Sequence, residues 1–353
     1  MNSITLNSQQ DHQETIMNSQ LYTLLSKQIG SAETQELVNL MHISSRFDIG
    51  EEGVISRAEL AQALNMLLFA DLLKRVPTGK AYTDDVAASQ QKVFLDHGAL
   101  RTVRYVGLGE LPPGEAAITR ILKPLGFRLN GVFPLDRLNM TGRSYAHLDD
   151  PENMSQFFVS ELHPERFSAA FQETVLRVLG ASIDPLTPAA VSMLNELDRD
   201  GSLPLEQAHS LLPIIFSCFG RQHPIPHLSD YQLLLKESAE MAWIATEGNV
   251  FNHATDRVAD VHALSEAQKQ MGRPMKPAVE VSGSGRVRQT AFKADPVQRE
   301  FIGDGGQVIV QQVPGSFYEF ISRVAIKEGA SSKLDLMFDA GNAQGIFKMT
   351  ANT

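Results

Sequence analysis

This sequence predicts an α+β fold in which helices and strands are grouped in blocks and do not alternate as βαβ units. Three observations carry that expectation. Long stretches place apolar residues at helical spacing, strand-like runs lie between and after them, and a Pro314-Gly315 turn is flanked by QVIVQQV and SFYEFISRV, which read as a hairpin.

The elements follow in chain order. Residues 1–20, MNSITLNSQQDHQETIMNSQ, are polar and rich in Asn, Gln and Ser, and read as a loose tail ahead of one body spanning 21–353. From Leu21 to about Val76 the pattern is helical: Ser56-x-x-Glu59 reads as a capping box, and Leu60, Leu64, Leu67, Leu68 and Leu72 follow at helical spacing. Strand-like segments are expected at about 92–107 and 127–133. A second helical block covers about 150–220, where FSAAFQETVLRVLG and TPAAVSMLNELDRDG each end in Gly. GRQHPIPH at 220–228 is the best candidate for a break between halves. A third helix is expected from Ser229, which with Gln232 reads as another capping box, to Gly248. Strands at 250–258, 286–293 and the two runs around Pro314-Gly315 complete the list.

The bulk properties exclude several functions. With 353 residues and 43% hydrophobic composition the chain can bury an enzyme-sized core. Its 31 basic residues are dispersed among 41 acidic ones for a net charge of -10, which disfavours a nucleic-acid binder. Cys218 is the only cysteine, so there is no internal disulfide, thiolate zinc cluster or CxxC redox pair, and a reducing cytoplasm fits. The N-terminus lacks the pattern of a secretory signal. The longest apolar stretches, such as LLPIIFSCF at 211–219, fall short of the roughly 20 residues that cross a bilayer, so no membrane span is expected. No motif fixes an oligomeric state.

Glu319 is the most informative carboxylate. Strand alternation puts it on the face of Phe317 and Ile321, with Tyr318 and Phe320 on the other, so a charge is expected in an apolar setting. Such a charge needs a metal or a counter-charge, and Arg323 is the alternative partner. His253, in GNVFNHATDRV, lies where the third helix gives way to a strand; it reads either as a core histidine or as a ligand. His97, in FLDHGALRTVR, ends an apolar run and is followed by Gly98, which permits close backbone approach. Arg101 is four residues on, a spacing that puts both side chains on one side.

Together His97, His253 and Glu319 make a 2-His-1-carboxylate set, which holds Fe(II) on one face and leaves the other open. Its net charge of about +1 suits an anionic chelator such as a 2-oxo acid. An arginine alongside offers a planar fork for a further carboxylate. Ten histidines and 41 acidic residues permit other triads.

The remaining motifs read as structure. His223 and His227 in HPIPH are separated by prolines that forbid a helix, which makes a loop. Asp48–Glu59 has the spacing of a calcium loop, but its third position is Gly50, which offers no ligand; 197–207 has Gln207 in place of the closing Glu and reads as a turn. GSGR at 283–286 and GDGG at 303–306 are turns.

At FLDHGALRTVR, FVSEL, LLLKESAEMAWIATEGNVFNHATDRV, RVRQTAFKAD and FYEFISR the chain resembles the 2-oxoadipate dioxygenase/decarboxylase family, from about residue 20 onward. The resemblance implies a vicinal-oxygen-chelate-like core of curved β modules with helical additions around a single iron. It implies His97, His253 and Glu319 as metal ligands and Arg101 as the substrate arginine. It implies that 2-oxoadipate chelates Fe(II) through its 1-carboxylate and 2-oxo group and that O2 drives loss of CO2 and hydroxylation to 2-hydroxyglutarate. The departure is in length, because characterised bacterial members continue beyond the segment matching GNAQGIF and place further substrate contacts there. Two other functions fit the same residues: a glyoxalase-like isomerase or hydrolase using zinc or nickel, and a non-catalytic binding protein with both histidines in its core.

Overall fold

Ser56 opens the longest helix, Arg57–Arg75, with the reciprocal cap its spacing predicts: its hydroxyl accepts from the Glu59 N–H, and the Glu59 carboxylate accepts from the Ser56 N–H. Nearly every residue of this helix is buried, which makes it a central rod. The computed structural model that shows this describes residues 15–48, 50–328 and 331–339. Within that range the folded body begins before Leu21, because Ile16 is in the core and Ser19 caps the helix Gln20–Ile29. Residues 1–14 of the expected tail and the GNAQGIF segment lie outside the described residues.

The strands in chain order are β1 Val54–Ser56, β2 Leu95–Val103, β3 Phe127–Leu135, β4 Met140–His147, β5 Gln156–Leu162, β6 Ser202–Pro204, β7 His253–Arg257, β8 Glu280–Val281, β9 Val287–Ala291, β10 Pro296–Ile302, β11 Val308–Pro314, β12 Phe317–Arg323, β13 Ala325–Glu328 and β14 Ser331–Leu334. Eight of them form one curled sheet in the order β3-β4-β5-β2-β7-β12-β9-β8. It is built from two copies of one unit. In the first, β2 leads through the helix Ala116–Leu122 to β3, β4 and β5, and β5 returns parallel to β2. In the second, β7 leads through the helix Val261–Gln270 to β8 and β9, and β12 returns parallel to β7. The units join where β2 pairs antiparallel with β7. The loop at 220–228 therefore separates two halves of a single sheet.

Each face of the sheet carries its own apolar core. Leu100, Phe157, Val159, Ala254, Tyr318 and Phe320 pack under the helix Arg57–Arg75, while Ala99, Phe158, Leu162, Ala291 and Phe317 pack on the opposite face with Trp243. Gly98 is needed on the first face: a Cβ there would lie 2.1 Å from Cε2 and Cζ of Phe251, whose ring packs on Phe157 and Phe219. Gly98→Ala is expected to cost about 1–3 kcal/mol, read as a lower thermal midpoint.

Three expectations need correction. The runs around Pro314-Gly315 are strands β11 and β12, but they do not form a hairpin. β11 pairs with β10, and β12 inserts between β7 and β9, because the β10–β11 hairpin interrupts the second unit. The helix expected from Ser229 to Gly248 is two, Leu228–Glu237 and Ala239–Glu247; no side chain caps the first, and the Ser238 hydroxyl caps the second by accepting from the Met241 N–H. The block at 150–220 holds the helices Ala169–Leu179 and Pro188–Asp200 but also β5, whose run QFFVSEL is buried on both faces and so lacks strand alternation.

GSGR and GDGG are turns, joining β8 to β9 and β10 to β11. The Asp48–Glu59 and 197–207 segments meet through β1 and β6, where Ile55 pairs with Leu203. His223 is buried, and its Nε2–H donates to the Ala245 carbonyl at 2.9 Å. Burial pushes its pKa down to about 4, against about 6.5 in an unfolded chain. The folded state thus favours the neutral ring. This contribution is complete above about pH 6.5, is lost as the pH falls toward 4, and reaches about 3 kcal/mol. Urea midpoints should drop across that window, and His223→Gln should flatten the drop. Among the described residues no helix is long and apolar enough to cross a membrane.

Candidate metal centre

Register on three adjacent strands brings the sequence-selected residues together. On β7, His253 and Thr255 face the same side of the sheet. Across one edge of β7, His97 on β2 is opposite Thr255; across the other edge, Glu319 on β12 is opposite the same Thr255. The Thr255 hydroxyl donates to Glu319 Oε2 at 2.6 Å and lies 3.1 Å from His97 Nε2. Glu319 Oε2 is 3.4 Å from His97 Nε2 and 3.1 Å from His253 Nε2. Cis ligands of an octahedral ion with bonds of about 2.1 Å stand about 3 Å apart, so Glu319 Oε2 stands at cis-ligand spacing from both imidazoles, and the donor atoms of all three residues lie within 4.8 Å of one another. All three side chains are buried, and among the described residues this is the one cluster of His, Cys, Asp or Glu with that geometry.

Glu319 Oε1 is buried with no hydrogen-bond partner among the described residues. A buried carboxylate oxygen left alone is costly, and a cation at this position removes the cost. Arg323, the alternative partner for Glu319, is engaged elsewhere: its Nε and Nη2 each donate to Asp96 at 2.9 Å. Burial alone would raise the Glu319 pKa, but the two imidazoles outweigh it and hold the carboxyl well below its usual range.

The histidines differ in their surroundings. Burial disfavours charge on His97, yet the hydrogen bonds to Asp96 and Glu319 prevail and its pKa is raised. For His253 burial prevails, the Arg101 charge adds to it, and the pKa is lowered. Asp96 is itself fully buried; burial would raise its pKa, but Arg323, His97 and Arg257 together hold it well below the usual carboxylate range.

Arg101 faces the same side as His97, completely buried, with its guanidinium 4.8 Å from the Trp243 ring centroid. Burial pushes its pKa down to about 10. Its strand partner Ser160 lines the cavity beside the triad, as does Ala99 between it and His97. Gln289, Asn252, Phe158 and Phe338 complete most of the wall. Phe338 packs edge-on against His97 at 4.7 Å and over Arg323 at 4.9 Å, and Arg323 Nη1 donates to the Asp335 and Met337 carbonyls. The 335–339 segment is thereby tied down beside the triad.

Sequence reasoning missed Asp96, Thr255, Asn252, Ser160, Gln289 and Phe338. Asp96, Asn252 and Thr255 stand within the motifs that single out His97 and His253; alternation gives no reason for Asp96 or Asn252, each adjacent to a candidate ligand, to reach its ring, whereas the i+2 spacing from His253 was a signal that could have found Thr255. HPIPH is a loop as expected, with His227 before the helix Leu228–Glu237.

A curled sheet of two βαβββ units that gathers two histidines and a glutamate at its centre defines a vicinal-oxygen-chelate-like protein with a face able to hold a metal. The family model for 2-oxoadipate dioxygenase/decarboxylase matches residues 64–348, and the chain belongs to that family. A crystal structure from Ralstonia eutropha, described as a glyoxalase superfamily protein, is 60% identical, covers 91% of this chain and 99% of its own, and superposes with a TM-score of 0.87. The rice 2-oxoadipate dioxygenase/decarboxylase, named as chloroplastic/amyloplastic, is 28% identical over 310 residues, 79% of this chain and 76% of that enzyme. The crystal structure of rice hydroxyglutarate synthase in complex with 2-oxoadipate, at 18% identity, shares the fold, with a TM-score of 0.64 over 84% of this chain and 93% of that one.

Proposed function

We propose that this protein is a mononuclear non-haem Fe(II) enzyme that converts 2-oxoadipate to 2-hydroxyglutarate, taking up O2 and releasing CO2. The observation that carries this reading is the convergence of donor atoms of His97, His253 and Glu319 within 4.8 Å of one another, with Glu319 Oε1 buried and without a hydrogen-bond partner among the described residues. Family membership and the 2-oxoadipate held by the rice relative support the substrate class. One 2-oxo diacid plus one O2 balances one CO2 plus the shortened hydroxy acid, so no second 2-oxo acid is required.

Bound Fe(II) would supply the chelation of the 2-oxo acid and the oxygen chemistry. The chain's own residues do the rest. His97, His253 and Glu319 hold the ion from one side of the sheet. Arg101 holds the distal carboxylate: four residues along a strand span about 13 Å, a gap that an extended six-carbon diacid and the reach of a guanidinium fill together. Trp243 covers the guanidinium and keeps water from it. Phe158 and Phe338 wall the cavity with apolar surface and exclude water from the reacting end. A reducing cytoplasm, which keeps iron ferrous and Cys218 a thiol, suits this chemistry.

An oxygen electrode tests the proposal. Fe(II)-loaded protein given 2-oxoadipate should consume O2 and release an equimolar amount of CO2, with shorter or monoacid 2-oxo compounds turned over more slowly. Turnover without O2, supported by zinc or nickel, would replace this reading with an isomerase or hydrolase.

A further inference from the structure

Each imidazole of the centre is met from behind by the side chain of the residue immediately before it. Asp96 Oδ2 lies 2.8 Å from His97 Nδ1, and the Asn252 amide lies 2.9 Å from His253 Nδ1. Consecutive side chains of a regular strand point to opposite faces, so a regular strand would permit neither contact. Both depend on local irregularity. The pairing of β2 with β7 shifts between Leu95 and His97, which turns Asp96 back beside its neighbour. Asn252 stands in the bend just ahead of the first residue of β7. The fold twice departs from regular geometry and twice arrives at the same contact.

The two partners are chemically unequal. Asp96 accepts from His97 Nδ1 and from both Arg257 and Arg323, so its carboxylate is fixed and leaves the His97 Nε2 lone pair directed at the triad. Asn252 is neutral. Its Nδ2 is the atom placed against His253 Nδ1, while its Oδ1 is buried with no partner among the described residues. The two ends of an amide have one shape, and hydrogen-bond logic decides which faces a given group. An ion held at His253 Nε2 needs the proton on Nδ1, and Nδ1–H needs an acceptor. Turning the amide about supplies Oδ1 as that acceptor and ends its isolation.

We infer that Asn252 is a positioning residue for the metal centre: its carbonyl oxygen accepts from His253 Nδ1–H and directs the Nε2 lone pair at the ion, as Asp96 does for His97. This rests on the metal-centre reading above. Asn252 is the member of the pair to test, because removing Asp96 would also strand two arginine partners.

The experiment titrates the full chain with Co(II), a spectroscopic stand-in for Fe(II), and reads both the dissociation constant and the visible absorption band. Asn252→Leu, similar in shape but with no acceptor, is expected to weaken Co(II) binding 10- to 100-fold and to shift the band. Asn252→Asp, which keeps an acceptor in place, should bind within a few-fold of the parent. Thermal midpoints of the metal-free proteins separate a folding defect from a binding one, and Asn252→Ala, which only deletes the amide, serves in the same way if the leucine variant does not fold. Parent-like affinity and spectrum in the leucine or alanine variant would overturn the inference. So would an aspartate variant as weak as either of them. Failure of the parent chain to take up Co(II) would overturn the metal-centre reading itself, and the role of Asn252 with it.

Discussion

His97→Ala should reduce bound iron from one equivalent to a trace and abolish O2 uptake with 2-oxoadipate. Removing this side chain deletes one of three donors that converge on a single point, and two ligands on β7 and β12 do not complete a facial set. It also releases Asp96 from one of its partners, but Arg257 and Arg323 remain on that carboxylate, so the buried charge stays paired. The fold should therefore survive with a loss of no more than about 2 kcal/mol, consistent with trimming a buried ring at a site that keeps its other contacts. Metal analysis of the purified variant, alongside its thermal midpoint, checks both halves. A variant that keeps a full equivalent of iron would remove His97 from the centre, and one that fails to fold would show that His97 supports the structure.

Strand alternation was enough to place Glu319. Its neighbours Tyr318 and Phe320 pack on the opposite face against Tyr82, as a period of two requires. The same rule put His97 and Arg101 on one face. Whether Glu319 meets a metal or Arg323 was beyond the pattern, because the competitor that takes Arg323 is Asp96, and Asp96 faces inward only through an irregularity in strand pairing. The failed hairpin has a related cause. Local turn chemistry around Pro314-Gly315 is sound, but β12 is bound by its long-range partners β7 and β9, and the adjacent β10–β11 hairpin is an insertion that periodicity does not mark. β5 escaped notice because a central parallel strand buried on both faces has no alternation to detect. Local residue patterns thus located the candidate ligands one at a time. Register across three strands, which no local pattern encodes, brings them to one place.

Arg101→Lys should lower kcat/KM for 2-oxoadipate about 100-fold while iron content stays at the parent level. The charge is kept, so the electrostatic effect on His253 persists and no buried anion is stranded. What is lost is the planar fork: an ammonium cannot present two parallel N–H donors to a carboxylate, nor stack on the Trp243 ring as a planar guanidinium can. Forfeiting one charge-assisted hydrogen bond and part of the stacking amounts to about 3 kcal/mol, which is the expected 100-fold. The loss should depend on the substrate. A 2-oxo monoacid, with no distal carboxylate to clamp, should be turned over slowly by the parent and nearly as well by the variant, so the preference for the diacid collapses. Equal loss of iron and activity would assign Arg101 to the support of His253, and an undiminished preference for the diacid would move the distal-carboxylate contact to side chains that line the cavity, with Ser160 and Gln289 the next to vary.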